Sequence, residues 1–258
     1  MKLIAILRVK NALLTIDQCL SRLSDLVDEI IILDNGSTDG TLEVYKKFPK
    51  IIQLLHTEGY HGGRDVRLLL EEAKKRNPNW IMLIDSDEIF ETHLTRDIIE
   101  VYMRGRYNII SFRMYNFWLS RKKFRIDRNW LFYTLRPQRQ MFRNLPGIFY
   151  QDIKVHYGSI QGISGPVHIS PYRIKHYGYV YREEVDRKIR MYKDIDKEKD
   201  YATIDPNMGH IMYFPFIEFR SAFFNRIWIV LQNWVAKMLD VTLQFKRKYI
   251  RGYQFFKQ

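Results

Sequence analysis

Three acidic residues directly follow an apolar run in the first third of the chain. Residues 81–84 are Ile-Met-Leu-Ile, and Asp85, Asp87 and Glu88 come next. An apolar run of this length predicts a strand that is buried on both faces of a parallel sheet. Ligands bind at the carboxyl ends of such strands, and two aspartates one residue apart suit a hard divalent cation. The alternative is a solvated acidic turn after a core strand.

The elements that would position these carboxylates can be read from alternating patterns upstream. The predicted strands are 3–7, 30–33, 51–55 and 81–84, and the predicted helices are 12–27, 41–48 and 65–76. Four strands that alternate with helices through short connections favour a doubly wound, mostly parallel sheet with helices on its faces. The fold class is therefore α/β and Rossmann-like.

The overall composition restricts the class of partner. The chain has 258 residues, enough for one domain plus an appendage, and 42 Lys and Arg against 29 Asp and Glu give a net charge of +13. Such a charge calls for an anionic partner, namely nucleic acid, anionic lipid or a phosphorylated substrate. No zinc-finger spacing, RNA-recognition signature or basic low-complexity tail is present, so we expect no nucleic-acid partner.

The single cysteine and the hydropathy pattern indicate a compartment. Cys19 excludes an intramolecular disulfide and lies in an apolar helical pattern, so we expect a small core residue in a reducing environment. No segment has the roughly 18 apolar residues of a membrane span, and the first residues read as a strand rather than a signal peptide. We expect a cytoplasmic protein, peripheral at most on the cytosolic face of a membrane.

The second half of the chain has a mixed pattern. A helix over 94–104 and a strand over 109–114 are predicted, followed by a segment rich in aromatics, Arg and Gly up to about residue 174. Binding residues collect on loops held by a rigid sheet, so this segment is where we expect acceptor-binding elements. Residues 183–199 are charged and predict a solvated surface helix.

The last fifty residues predict an amphipathic helix. One helical face carries apolar residues, namely Phe224, Ile227, Leu231, Trp234, Met238 and Phe245, and a basic tail with Lys246, Arg247, Lys248 and Arg251 follows. Aromatic and aliphatic residues beside a basic stretch suit a helix that lies in a membrane interface. We therefore expect peripheral membrane contact through 215–258. The alternative is a helix packed on the domain or on a partner subunit.

Four segments in order carry a resemblance to a known family. They are AILRVKN after the first strand, LDNGSTDGT after the second, GGRD at the third helix and LIDSDE after the fourth strand. Together they resemble family-2 glycosyltransferases of the GT-A fold, whose last motif is of the DxD type. Segments near 125–130, 139–143, 155–156 and 176–179 are similar to the bacterial branch that modifies surface polysaccharides and lipopolysaccharide cores.

The resemblance implies an activity and a division of the chain. It implies a metal-dependent, inverting glycosyltransferase that moves a sugar from a nucleotide diphosphate sugar, most simply a UDP-sugar, to a glycan or lipid-linked acceptor. Residues 1–205 would form the GT-A domain, with a nucleotide-sugar half (1–90) and an acceptor half (91–205). Residues 206–258 would form the amphipathic, basic C-terminal helices.

The resemblance also assigns the metal and the nucleotide. Asp87 would be the direct ligand of Mn²⁺ or Mg²⁺, Asp85 would assist it, Glu88 would be structural, and His156 or His176 would contribute to the metal or the diphosphate. The nucleotide contacts implied are Arg8, Lys10, Asp34, Asn35, Arg64, Asp85 and Ser86. Asn11, Ser37, Thr38 and Asp39 are expected to be loop and cap residues.

An inverting transfer needs a base for the acceptor hydroxyl proton. In the bacterial branch a His-Glu pair often follows the segment that corresponds to 139–143, but here Tyr157 follows His156 and the Glu is missing. Asp152 is therefore our first candidate for the base, and Asp127 is the second. Trp118, Trp130 and Tyr133 could stack on sugar rings, although such residues more often pack in a core.

Two other functions fit part of the pattern. A sugar nucleotidyltransferase also combines a nucleotide fold with acidic metal ligands, but it needs a glycine-rich phosphate loop where this chain has Arg8-Val9-Lys10-Asn11. A non-catalytic basic module that binds membrane or nucleic acid would not depend on Asp85 and Asp87. Nucleotide binding that depends on Mn²⁺ separates these possibilities.

Overall fold

The computed structural model describes residues 1–126, 134–135, 137–151, 160–195, 213–235 and 238. Ten strands form one central sheet, and two short strands form a second sheet beside it. The strands are β1 (Leu3–Val9), β2 (Glu29–Asp34), β3 (Ile51–His56), β4 (Trp80–Asp85), β5 (Glu88–Phe90), β6 (Ile109–Trp118), β7 (Lys123–Arg125), β8 (Gln138–Arg143), β9 (Phe149–Tyr150), β10 (Ile160–Gln161), β11 (Val167–Tyr179) and β12 (Tyr213–Pro215). The helices are α1 (Ile16–Ser24), α2 (Thr41–Tyr45), α3 (Gly62–Lys74), α4 (Arg96–Arg104) and α5 (Arg182–Ile195). Residues 222–235 form a further helix, here called the C-terminal helix.

The first four long strands form the parallel half of the sheet, in the order β3-β2-β1-β4. Leu3, Ala5 and Leu7 of β1 face one hydrophobic core, and Ile4 and Ile6 face a second one on the opposite side. Side chains alternate across a strand, so a wholly apolar strand is the one that separates two cores. The predicted α/β, Rossmann-like fold is confirmed.

The remaining strands extend the sheet with mixed directions. Strand β8 is antiparallel to both β4 and β6, β6 is parallel to β11, and β11 is antiparallel to β5. Strand β6 continues to Trp118, beyond the predicted end at residue 114. Because β5 follows the acidic turn directly, the antiparallel pairing with β5 brings the end of β11 beside Asp87.

Helix α1 begins one turn later than predicted. The backbone N–H groups of Ala12 and Leu13 bond to Thr41 Oγ1 at 2.9 Å and to Asp39 Oδ2 at 3.0 Å. These bonds tie residues 12 and 13 to the loop after β2, so the chain turns before it becomes helical. Leu13, which lies within the predicted helix 12–27, is exposed for that reason.

Cys19 on α1 is buried, as predicted, and its thiol lies 3.7 Å from the carbonyl oxygen of Asp85. Burial raises the pKa of this thiol well above its usual value, and the charges of Asp87 and Glu88 add to the shift. The Cys19 side chain thus packs against the end of β4, which leads into the acidic turn.

Buried and half-buried ion pairs hold the chain after residue 212 to the sheet. Arg173 on β11 pairs with Glu91, both side chains are fully buried, and Arg173 Nη2 also donates to Asn225 Oδ1 at 3.1 Å. Nearby, Lys175 Nζ lies 2.6 Å from Glu218 Oε1. Strand β12 pairs with β7, so residues 213–215 are a strand where helices were predicted from 206 onwards.

The C-terminal helix turns one face inward and one outward. Asn225 and Ile229 are buried against the domain. The apolar residues on the opposite face are exposed, namely Phe223, Phe224, Ile227, Val230, Leu231 and Trp234, and Met238 beyond the helix is exposed as well. Four of the residues that we expected to share an apolar face, Phe224, Ile227, Leu231 and Trp234, therefore do so and point to solvent. Phe245, expected on the same face, lies outside the described residues. Within the residues described, no helix combines the length and hydropathy needed to cross a bilayer.

Candidate functional site

The acidic turn lies at the carboxyl edge of the parallel strands. Arg8 near the end of β1 is in register with Asp85 at the end of β4. The Arg8 guanidinium donates from Nη2 to Asp85 Oδ1 at 3.2 Å and from Nη1 to the Tyr60 hydroxyl at 3.1 Å. Ser86 is half-buried between the two aspartates. A cation and a carboxylate thus share the edge where a nucleotide was predicted to bind.

Asp87 is the centre of a cluster that comes from three separate elements. Its Oδ2 lies 2.7 Å from the Lys188 Nζ of α5, and its Oδ1 lies 3.4 Å from the His176 Nε2 of β11. The Nδ1 of His176 is in turn 2.6 Å from Asn116 Oδ1 on β6. When Nδ1 carries the hydrogen for that bond, Nε2 is the ring nitrogen that faces Asp87.

The charges in this cluster shift the pKa values of its members. Burial opposes ionisation of Asp87, but the Lys188 ammonium and His176 outweigh it and hold the pKa of Asp87 well below its usual value. The pKa of Lys188 is raised, since the attraction of Asp87 exceeds the cost of burying the ammonium. Asp87 and Lys188 are therefore a charged pair at neutral pH.

Gly178 explains how β11 can approach so closely. A methyl group at this position would lie 2.1 Å from Lys188 Nζ, 2.4 Å from Asp87 Oδ2 and 2.8 Å from His176 Nε2. Real Cβ atoms do not make contacts this short, so only glycine leaves space for the three side chains to meet.

Glu88 is structural, as predicted. Its Oε2 accepts hydrogen bonds from the Asp85 backbone N–H at 3.2 Å and from Gln140 Nε2 at 3.3 Å. Burial raises the pKa of Glu88 well above its usual value, and the charges of Asp85 and Asp87 raise it further. Glu88 therefore closes the turn from within.

The loop after β2 is built on its own side chains. Asp34 is fully buried, its Oδ1 accepts from the Gly36 and Ser37 N–H groups, and its Oδ2 accepts from the Tyr45 hydroxyl at 2.8 Å. Asn35 is also buried and donates through Nδ2 to Thr57, Gly59 and Asp65. Both residues shape the loop from inside. Their direct contact with a nucleotide stays a prediction.

Asn11 and Asp39 act as the loop and cap residues that we expected. Asn11 Oδ1 accepts from the Thr38 N–H at 2.8 Å, and Asp39 Oδ1 accepts from the N–H and hydroxyl of Thr41, the first residue of α2. The loop is therefore fixed before any ligand binds.

Arg64 and Lys10 flank the loop on the open side. Arg64 Nη2 donates to the Gly59 carbonyl at 2.8 Å and Nε donates to Asp65 Oδ1 at 2.8 Å, so the guanidinium stiffens the loop that carries Tyr60. Lys10 is exposed and makes no hydrogen bond to any residue that the structure describes. Both cations remain at the rim of the predicted nucleotide site.

Several predicted residues are placed elsewhere or are not covered. Asp127, Trp130, Tyr133, Asp152 and His156 lie outside the described residues.

Arg143, in the segment 139–143 that carries part of the resemblance, contacts a helix end. Its guanidinium donates to the carbonyl groups of Met103, Gly105 and Tyr107 at the end of α4. Cations stabilise helix C-termini in this way. Trp118 is buried and stacks on Tyr179, with ring centroids 4.7 Å apart, so it belongs to the core rather than to a sugar site. Arg139 is exposed.

Sequence reasoning missed Lys188, because residues 183–199 were interpreted as a solvated helix. Val185 is buried against Trp118 and Tyr179, and Ile189 packs on the same cluster. Residues three and four apart share a helical face, so the spacing of Val185 and Ile189 could have indicated that position 188 lies at the edge of the inner face.

The side chains around Asp87 could provide ligand atoms for a divalent cation that also binds a phosphate group. Asp87 Oδ1 and His176 Nε2 converge, Asn116 orients the imidazole, and Asp85 lies on the same turn. No group of three or more His, Cys, Asp or Glu side chains converges on one point among the residues described. Mg²⁺ and Mn²⁺ commonly take one or two protein ligands and complete their shell with water and substrate phosphates. The residues therefore fit such an ion, and His176 is the histidine that lies beside Asp87. His156, the other histidine that we considered for the metal, lies outside the described residues.

Comparison with known families matches residues 5–156, more than half of the 258 residues, to the family described as glycosyl transferase family 2. An uncharacterized glycosyltransferase of Mycoplasma genitalium is 31% identical over 134 residues, which are 48% of this chain and 44% of that protein. An uncharacterized protein of Mycobacterium tuberculosis is 26% identical over 102 residues, 36% of this chain and 25% of that protein. The chain thus spans less than half the length of these curated relatives.

Among solved structures, the chain is similar to S. aureus TarS, with a TM-score of 0.49 and 16% identity over 79% of this chain and 41% of that chain. Another is glucosyl-3-phosphoglycerate synthase from Mycobacterium tuberculosis in complex with Mn²⁺, UDP and glucosyl-3-phosphoglycerate. Its TM-score is 0.33 at 18% identity, and the match covers 45% of this chain and 44% of that chain.

Proposed function

We propose that this chain, which belongs to glycosyl transferase family 2 and is a glycosyltransferase, moves a sugar from a UDP-sugar to a hydroxyl group of a glycan or glycolipid with inversion. The observation that carries the proposal is the acidic turn after β4. In this chain, Asp85 contacts Arg8, and Asp87 contacts His176 and Lys188, at the carboxyl edge of the parallel strands.

The residues around the turn suit the charge changes of the reaction. The acceptor oxygen bonds to the anomeric carbon, and the bond from that carbon to the diphosphate oxygen breaks with its electron pair left on UDP. Arg8 and Lys188 are cations placed beside the aspartates, where they can stabilise the negative charge that develops on the diphosphate. Fixed charges in a partly buried site contribute most when charge develops in the transition state.

A divalent cation belongs to this proposal. Asp87 and His176 would hold it, with Asp85 assisting through water or ribose, and it would supply Lewis-acid neutralisation of the diphosphate. Asn116 would keep the imidazole of His176 in the orientation that exposes Nε2. Arg8, Lys10, Ser86 and Arg64 would contact the nucleotide, together with the loop of Asp34 and Asn35.

The acceptor side is proposed from sequence alone. Asp152, or else Asp127, would take the proton from the acceptor hydroxyl as the oxygen attacks. A surface polysaccharide or a lipopolysaccharide core is the acceptor class that the motifs of residues 125–179 favour. The division into a nucleotide-sugar half (1–90) and an acceptor half (91–205) belongs to the same proposal.

The exposed face of the C-terminal helix supports contact with a membrane. Phe223, Val230 and Trp234 are each more than half exposed, at 65%, 64% and 62%. The basic stretch at 246–251 follows in sequence, and apolar insertion combined with basic residues is the pattern of interfacial helices. We propose that this face lies on the cytosolic surface of an anionic membrane, where lipid-linked acceptors occur.

The nucleotide half of the proposal predicts a selective ligand response. UDP with Mn²⁺ should raise the thermal midpoint of the full-length protein, because a ligand that binds only the folded state stabilises it by about 2.7 kcal/mol at a hundredfold excess over Kd. The measurement is a thermal-shift titration with UDP, GDP and CMP, each with and without Mn²⁺.

The same titration has outcomes that would contradict the proposed metal or the proposed reaction. A uridine-specific shift that requires Mn²⁺ supports both the donor and the metal, and a shift without Mn²⁺ dependence would remove the metal from the proposal. No shift with any of the three nucleotides would contradict the proposed reaction.

The membrane contact predicts a loss that is confined to the outer face of the C-terminal helix. The double variant Phe223→Ser, Trp234→Ser should strongly reduce co-sedimentation with vesicles of phosphatidylcholine and phosphatidylglycerol, because it removes two aromatic side chains that the membrane interface would bury. Val101→Ser on α4, which changes an equally exposed apolar residue (69%), is the matched control. Equal sedimentation of both variants and the wild type would show that this face has another occupant.

A further inference from the structure

The ammonium of Lys188 stands at a place that the proposed cation also needs. It lies 2.7 Å from Asp87 Oδ2, while His176 faces the other oxygen at 3.4 Å. Both side chains of the Lys188–Asp87 pair are largely buried, with 13% and 17% exposure. The carboxylate is therefore already neutralised in the nucleotide-free protein.

The position of Lys188 is built into the fold. Val185 and Ile189 anchor α5 on the Trp118 and Tyr179 cluster, which directs Lys188 inward. Its ammonium also lies 4.9 Å from the centre of the Tyr179 ring, within the range of a cation–π contact. Together with the space left by Gly178, these contacts hold the Lys188–Asp87 ion pair inside the site rather than on the surface.

A divalent cation at Asp87 and an ammonium on the same carboxylate repel each other at short range. Either the cation binds weakly or Lys188 must move. Lysine is suited to move, because its charge is compact and its stem has four flexible carbons. A diphosphate that arrives with the cation would offer oxygens that accept the displaced ammonium.

We propose that Lys188 is an exchangeable counter-ion, which neutralises Asp87 in the free protein and transfers to the diphosphate when the cation and nucleotide bind together. This inference rests on the proposed function. It assigns to Lys188 the coupling between the two ligands: the cation alone meets an occupied carboxylate, and the nucleotide removes the competitor. Metal and nucleotide therefore bind cooperatively.

The experiment is a Mn²⁺ titration followed by electron paramagnetic resonance, with and without UDP, on full-length wild type and Lys188→Met. In the wild type, UDP should tighten Mn²⁺ binding by about tenfold or more, as is usual for coupled sites. In Lys188→Met, Mn²⁺ alone should bind about tenfold more tightly than to the wild type, and the enhancement by UDP should shrink.

The controls separate position from charge. Lys193→Met makes the same charge change at an exposed position on the same helix and should behave like the wild type. Lys188→Arg keeps the charge and should keep the weak binding of Mn²⁺ alone. Lys188→Gln, which also removes the positive charge but keeps a polar end group, is the second variant if the methionine variant does not fold by circular dichroism.

The outcomes distinguish the inference from the function beneath it. If Lys188→Met (or Lys188→Gln) and Lys193→Met bind Mn²⁺ and respond to UDP just as the wild type does, the counter-ion role is overturned while the metal site stands. If no variant and no wild-type sample binds Mn²⁺ even with UDP, the metal part of the proposed function fails, and the inference fails with it.

Discussion

Asp87→Asn should reduce donor turnover by about 100- to 1,000-fold, the usual loss when one preorganised electrostatic group is removed from an active site. The amide keeps the shape of the side chain but no longer neutralises Lys188 or ligates a cation with a full charge. The measurement is release of UDP from UDP-glucose and UDP-N-acetylglucosamine, which requires no known acceptor. Binding of UDP with Mn²⁺ should weaken in parallel.

Asp25→Asn is the matched control for this substitution. Its carboxylate is 69% exposed and pairs with Arg22 on the surface of the domain. The change in charge is identical, but the site is remote, so turnover should stay within about twofold of the wild type because exposed pairs contribute little. Full activity of Asp87→Asn, beside an active wild type, would remove Asp87 from the reaction.

Arg173→Met should cause the largest loss of stability, about 3–5 kcal/mol, because it leaves the buried carboxylate of Glu91 without its partner. Arg173 is fully buried, lies between the rings of Phe216 and Tyr115 at 4.3 Å and 5.2 Å, and bonds to Asn225. The loss is a large part of the total for a typical domain. The free energy of unfolding in urea measures it.

The pH dependence of this variant tests the cause. Burial raises the pKa of Glu91 even with Arg173 present, and without Arg173 it should rise further. The folded variant then binds a proton that the unfolded chain releases, so its stability should increase from about pH 7 to about pH 5 relative to the wild type. A loss that is independent of pH would indicate lost packing instead.

Two further variants complete the comparison. Glu91→Gln combined with Arg173→Met should recover much of the loss, since a buried pair can be replaced at little net cost. Arg104→Met removes an arginine that is 72% exposed and pairs with Glu100 on the surface of α4. Its effect should not exceed about 1 kcal/mol.

The parallel half of the fold was predictable because its signals are local. Each apolar run of β1, β2 and β4 is a complete strand, and the polar residues at the strand ends converge for topological reasons alone. The acidic turn followed from this pattern, whereas the roles of Asn11, Asp39 and Glu88 followed from the resemblance to the family. Helix boundaries differed where side chains such as Thr41 and Asp39 captured the backbone of a neighbouring segment.

The rest of the site depends on contacts between residues far apart in sequence. Lys188 is separated from Asp87 by 101 positions, and its direction is set by Val185 packing on Trp118. Arginine is a residue type that often binds anionic ligands, but Arg143 donates to a backbone carbonyl at the end of α4. Sequence patterns show which residue types are available, whereas these assignments depend on which element packs on which.

Chemical labelling of the Cys19 thiol can measure local opening of the fold, and no additional cysteine has to be introduced. It is the only cysteine in the chain, it is buried, and its raised pKa makes the folded form unreactive. Modification by a thiol reagent therefore proceeds through openings that expose α1 and the strand end beneath Asp85. When closing is fast, the labelling rate reports the free energy of that opening. Slower labelling on addition of a ligand would locate its stabilising effect in this layer.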